Sequence, residues 1–130
     1  MDSLIIPSTL ITPAIQFDAE SGVFSIKGCS IPVEADSFWK PILSWIEVYS
    51  YMPKQSTRVI FELAYFNIST SNNLLQLLYN LREIANRSYN VQIEWHYASF
   101  DDDMYEVGQD FAFMAKLPFE FIASSSIELI

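Results

Sequence analysis

Two clusters in this chain hold the residue types that do chemistry. Asn67-Ile68-Ser69-Thr70-Ser71 sets an amide and three hydroxyls at the end of the aromatic, apolar stretch Phe61 to Phe66, just before a leucine-rich run that starts at Leu74. A strand that ends where a helix must begin leaves backbone N–H groups without intrahelical partners, so Ser69, Thr70 or Ser71 can cap that helix. The same place suits a phosphate switch. Phosphorylation adds roughly −1.5 to −2 charge and three acceptor oxygens, which free amides at a helix N-terminus can bond.

The second cluster is acidic: Asp101, Asp102 and Asp103, with Glu106 and Asp110 following. Such a run can gather oxygen ligands for Mg²⁺, can begin a helix whose dipole favours negative charge, or can present an acidic docking face. Joined by Glu34 or Glu62, the carboxylates from Asp101 to Glu106 would suit a small metal-dependent hydrolase, which is the alternative functional reading. Against it, the chain has no phosphate-binding glycine loop, no nucleophile elbow and only three glycines. His96 is the only histidine, which excludes a relay of several, and between Trp95 and Tyr97 it reads as structural. Cys29 is the only cysteine, so no internal disulfide forms and no cysteine-based zinc site is available. No catalytic residue, metal ligand or cofactor is assigned.

Composition narrows the partners. Seven basic residues against sixteen acidic ones give a net charge of −9, which excludes backbone-tracking nucleic-acid binders and anionic-membrane binders, since both need clustered Lys and Arg. A basic protein surface is the better match. The N-terminus carries Asp2 where a signal peptide would be basic and is broken by Pro7 and Pro13, and no apolar run approaches the roughly 20 residues of a membrane span. With a lone thiol, this places the chain in the cytoplasm, and its 130 residues with 51% hydrophobic content suit a single domain over 1–130.

The elements that must position these clusters follow from periodicity. Ala14 to Phe17 and Val23 to Lys27 alternate and read as a hairpin about Asp18 to Gly22. Phe38, Ile42, Trp45, Ile46 and Tyr49 have helical spacing over about 36–51, with Asp36 or Ser37 as the cap and Pro41 in the first turn or so. On that stripe Trp39 falls outside and is a candidate for exposure, whereas Phe38, Trp45, Trp95, Phe111 and Phe113 fall in the core. Thr57 to Phe66 reads as a central strand, and Leu74, Leu77, Leu78, Leu81, Ile84 and Ala85 give a helix over about 71–87. Val91 to Tyr97 is a further strand, Asp101 or Asp102 caps a third helix to about Met114, and Phe119 to Ile122 is a last strand or a docking tail. The order β-β-α-β-α-β-α predicts an α/β fold, a single small mixed sheet with helices packed on it, suited to the anti-sigma-antagonist (STAS) type.

The residues also resemble a known family. Thr12-Pro13-Ala14-Ile15, Gly22 to Ile26, Gly28-Cys29-Ser30-Ile31-Pro32, Phe38-Trp39 with Pro41 and Trp45, Tyr65-Phe66-Asn67, Trp95-His96-Tyr97 and Asp101-Asp102-Asp103-Met104 with Glu106 and Gly108 are similar to the SiaC family of bacterial regulatory phosphoproteins. The likeness spans about residues 12 to 120. It implies a non-enzymatic switch, phosphorylated by a protein kinase at the strand-to-helix junction and reset by a PP2C-type phosphatase. Unmodified, it would bind and activate a diguanylate cyclase, in cyclic di-GMP and biofilm signalling. The family carries its acceptor threonine directly after the asparagine, where this chain has Ile68. The resemblance therefore leaves two outcomes: acceptance has moved to Ser69 or Thr70, or the chain stays in the partner-binding state. Asn67, Asp101, Asp102, Asp103 and Glu106 are the partner-binding candidates. Val33 stands between Pro32 and Glu34, where the family tends to have proline followed directly by glutamate.

Overall fold

The computed structural model describes residues 1–125. Its N-terminal part is an antiparallel meander of β1 (Leu4–Ile6), β2 (Ala14–Asp18) and β3 (Val23–Ser30). Helices then alternate with strands: α1 (Ala35–Tyr49), β4 (Ser56–Phe66), α2 (Ile68–Asn86), β5 (Asn90–Ala98), α3 (Asp102–Ala115) and β6 (Phe119–Ser124). Among the described residues six strands form one mixed sheet in sequence order, with β3, β4, β5 and β6 parallel. The expected α/β sheet is present, extended by a strand at each end. At the C-terminal end, Phe119 to Ile122 resolves as strand. β1 escapes periodicity because three residues beside Pro7 are too short to show a pattern.

Strands added in one direction through right-handed crossovers put every helix on the same face. α1 packs on α2 and α2 on α3. The core lies between the helices and the sheet: Ile15, Phe17, Phe24, Ile26, Val59, Phe61, Leu63, Ile93 and Trp95 are buried beneath Trp39, Ile42, Ile46, Leu74, Leu77, Leu78, Leu81 and Ile84. Each such side chain contributes about 1.5–3 kcal/mol on full burial. The opposite face is polar, and there Lys27 pairs with Glu62 at 3.2 Å, while Glu94 bridges Arg58 and His96.

Several local expectations are corrected. Trp39 is fully buried, because the buried stripe of α1 is Ala35, Trp39, Ile42, Ile46 and Tyr49, alternating steps of four and three. Phe113 is 84% exposed, since α3 buries Met104, Gly108, Phe111 and Ala115 and Phe113 lies on the other side. Neither Asp36 nor Ser37 caps α1; its N-cap is Glu34, without a side-chain cap bond, so Pro41 lies in the second turn on an exposed side. α2 starts at Ile68, with Asn67 rather than a hydroxyl as its cap.

Two packing details position the site. A Cβ built on Gly108 would stand 2.5 Å from Trp95 Nε1 and 2.9 Å from Phe121, so α3 seats on the sheet through a residue without a side chain. The Trp95 indole in turn donates to the Met104 carbonyl at 3.0 Å. In β4, Gly28 pairs with Leu63 and Cys29 with Tyr65, leaving Ala64 as a bulge. Beyond it Tyr65 points outward, 42% exposed, and Phe66 turns in to stack on Phe111 and meet Trp95 edge-on.

Candidate functional site

Parallel strands bring their carboxyl ends to one edge, so Ser30, Phe66 and Ala98 end together and α1, α2 and α3 begin there. Ligands of open α/β sheets are met at such edges. The structure thus brings Asn67, Ser69 and Thr70 of one cluster to the same edge as Asp101, Asp102 and Asp103 of the other; Glu106 sits one turn farther along α3.

At the β4–α2 junction, Asn67 has extended backbone (φ −87°, ψ 173°), and its Oδ1 accepts the Thr70 amide at 2.9 Å. Its own N–H donates to the Ser30 carbonyl at 3.1 Å and its Nδ2 to the Pro32 carbonyl at 3.4 Å. Asn67 thereby ties the start of α2 to the end of β3.

The hydroxyls separate cleanly. Thr70 is fully buried, with Oγ1 2.8 Å from Ser30 Oγ and 3.1 Å from the Ser30 carbonyl, while Trp39 Nε1 donates to Ser30 Oγ at 3.3 Å. One proton per hydroxyl leaves a single consistent chain: Trp39 to Ser30 Oγ, Ser30 to Thr70 Oγ1, Thr70 to the Ser30 carbonyl. Among the described residues no buried side-chain polar atom lacks a partner. A phosphoryl group on Thr70 would dismantle this network. Ser69 is exposed and faces a cleft lined also by Val33, Glu34, Ala35, Asp36 and Ser37. Beside it Asn73 links the two helices, its Nδ2 2.9 Å from both Asp36 Oδ1 and the Ser69 carbonyl.

Asp101 caps α3 by accepting the Met104 amide at 3.1 Å, and Asp102 and Asp103 fill the first turn, both exposed. No group of three or more His, Cys, Asp or Glu among the described residues is gathered to hold a metal ion. Sequence reasoning missed the apolar part of this edge: Val33 is 96%, Ile68 83% and Phe100 70% exposed. Each directly precedes or begins a helix, and a single apolar residue outside any stripe was the available signal.

Away from the edge, the hydrogen bond from Arg58 holds the Glu94 carboxyl below the usual range, burial opposing it and His96 Nε2 at 3.0 Å adding to it. The Arg58 guanidinium is held above its ordinary value chiefly by the same bond. This fixes a charged ladder on the helix-free face and leaves His96 as part of it.

Comparison with known proteins follows the same outline. Residues 6–124 match the family model described as SiaC family regulatory phosphoprotein. An uncharacterized protein of Pseudomonas aeruginosa is 28% identical over 119 residues, covering 92% of this chain and 94% of that one. The crystal structure of apo-SiaC from Pseudomonas aeruginosa superposes with a TM-score of 0.87 at 28% identity, covering 95% of this chain and all of that one. SiaC as activator in complex with the diguanylate cyclase SiaD gives a TM-score of 0.87 at 27% identity, covering 93% of this chain and 99% of the matched one. Among the described residues no helix is long and apolar enough to cross a membrane.

Proposed function

The chain belongs to the SiaC family of regulatory phosphoproteins, and from that premise we propose that it is a non-enzymatic switch that docks on and activates a diguanylate cyclase through the carboxyl edge of its sheet. The observation that carries this reading is the likeness, over 93% of the chain, to a SiaC solved with a diguanylate cyclase. The edge has the make-up of a docking surface: exposed Val33, Ile68 and Phe100 offer apolar contact, and Asp101, Asp102 and Asp103 select a basic counterpart. Asn67 fixes the geometry between them. The switch works in the cytoplasm.

Ser69 is the phosphoacceptor in this reading and Thr70 is not. A kinase must reach the hydroxyl, and only Ser69 of the two is accessible. A protein kinase adds the phosphate, a PP2C-type phosphatase removes it, and the unmodified form is the one that docks. Mass spectrometry after co-expression with the cognate kinase tests the acceptor: phosphate on Ser69 is expected. A chain without phosphate anywhere over 67–71 would rule the relocated acceptor out. Charge reversal at Asp102 and Asp103 tests the surface, and cyclase binding that survives it would remove the acidic edge from the interface.

A further inference from the structure

The cleft at Ser69 is lined by negative charge that does not belong to α2. Glu34 and Asp36, at the start of α1, share it with Ser69. We propose that the turn from Val33 to Ser37 is the moving part of the switch: a phosphate on Ser69 repels Glu34 and Asp36, breaks the Asn73–Asp36 bond and lifts the first turn of α1 away from α2. The proposal rests on Ser69 as acceptor and concerns what the charge does once there. The phosphoryl group comes from a nucleoside triphosphate; the Ser69 Oγ–P bond forms as the bond to the bridging oxygen breaks, the nucleoside diphosphate leaves, and the hydroxyl proton goes to solvent.

Which side moves is decided by how each is held. The start of α2 is pinned by the Asn67 cap, by the Asn67 amide on the Ser30 carbonyl and by buried Thr70 on Ser30. α2 has no acidic residue in its first turn, so its dipole attracts the phosphate and keeps it there. α1 starts with less, its first turn anchored by the small buried side chain of Ala35 and by no side-chain cap. Glu34 makes no side-chain cap bond, Ser37 Oγ reaches its carboxylate at 3.3 Å, and Asp36 is held across the cleft by Asn73 alone at 2.9 Å. Like charges therefore displace the weaker partner. The displacement stops at Trp39, fully buried with its indole on Ser30, which confines it to the first turn. Val33, almost wholly exposed at the entry to that turn, moves with it, so the charge also rearranges the apolar part of the edge.

The test needs neither kinase nor cyclase. Phosphoserine is installed at position 69 of the full chain by codon suppression, and amide hydrogen exchange is followed over 38–40, whose amides bond the carbonyls of the moving turn, and over 67–75. Exchange over 38–40 should rise at least several-fold while 67–75 is unchanged or slower. In the Glu34→Gln, Asp36→Asn double variant, which keeps both hydrogen-bonding oxygens, most of that rise should vanish. Raising salt from 0.1 to 1 M, which shortens the screening length from about 10 to about 3 Å, should reduce it without any substitution. Unchanged exchange over 38–40, or a rise that persists in the double variant and in high salt, overturns the proposal. Either result leaves the docking reading standing, whereas a failure of cyclase binding leaves this one untouched.

Discussion

α2 and α3 both begin at the carboxyl edge with an Asx side chain that accepts the third amide of the helix, Asn67 from Thr70 at 2.9 Å and Asp101 from Met104 at 3.1 Å. The two residues between cap and third position are where they part. In α3 these are Asp102 and Asp103, whose carboxylates already answer the positive end of the helix; in α2 they are Ile68 and Ser69, apolar and uncharged. One start is electrostatically complete and the other has room for charge. A regulated position needs the second kind, because a modification must change something that the folded protein has left unbalanced.

The contrast is broken most severely inside the network beneath α2. Thr70→Asp puts a carboxylate in a fully buried site with no cation beside it, which should cost about 3–5 kcal/mol in denaturant unfolding, whereas Ser69→Asp should stay within about 0.5 kcal/mol. Equal costs would mean that the two hydroxyls are not distinguished by burial.

The caps come next. Asn67→Ala and Asp101→Ala should each lose about 0.5–2 kcal/mol by thermal or denaturant melts, the Asn67 change being the larger because its Nδ2 also holds the Pro32 carbonyl. A larger loss at Asp101 would show that the bond from Asn67 Nδ2 to the Pro32 carbonyl adds nothing to stability.

The smallest effect is felt only in acid and lies on the helix-free face. The folded Glu94 carboxyl titrates below its ordinary 4.5, mainly through the bond from Arg58. A depressed carboxylate contributes stability above its unfolded value and loses it as pH falls through the folded one. Melting the wild type and Glu94→Gln from pH 7 to 3 should therefore give a shallower acid decline in the variant. Parallel declines would mean that Arg58 does not hold this group in solution.

What the sequence made legible follows from which physics is local. α2 was readable because five leucines and isoleucines repeat at helical spacing, and the acidic start of α3 because Asp101 caps it in sequence. Trp39 was misplaced because Phe38 and Trp45 are equally large, so the stripe centred a residue away fits as well until the sheet chooses. The burial of Thr70 could not be read at all. Its partner Ser30 lies 40 positions away and Trp39, which donates to Ser30, 31, and only the parallel pairing of β3 with β4 brings them together. The cleft at Ser69 was hidden for the same reason, since Glu34 and Asp36 belong to a different crossover.

The extra residue at Ala64 has a consequence for how this chain can vary. A strand repeats every two residues, so one inserted position exchanges odd and even for everything after it. Smoothing the bulge with Ala64 kept would send Phe66 out to solvent, bring Tyr65 against Trp95 and Phe111, and turn Asn67 away from Pro32 and Ser30, whereas deleting Ala64 itself would leave Tyr65 opposite Cys29 and Phe66 opposite Ser30 in an unbroken ladder. Ala64 is therefore a place where β4 can shorten by one residue and keep the facing of everything after it, so descendants of this sequence can lose it without turning the sheet inside out.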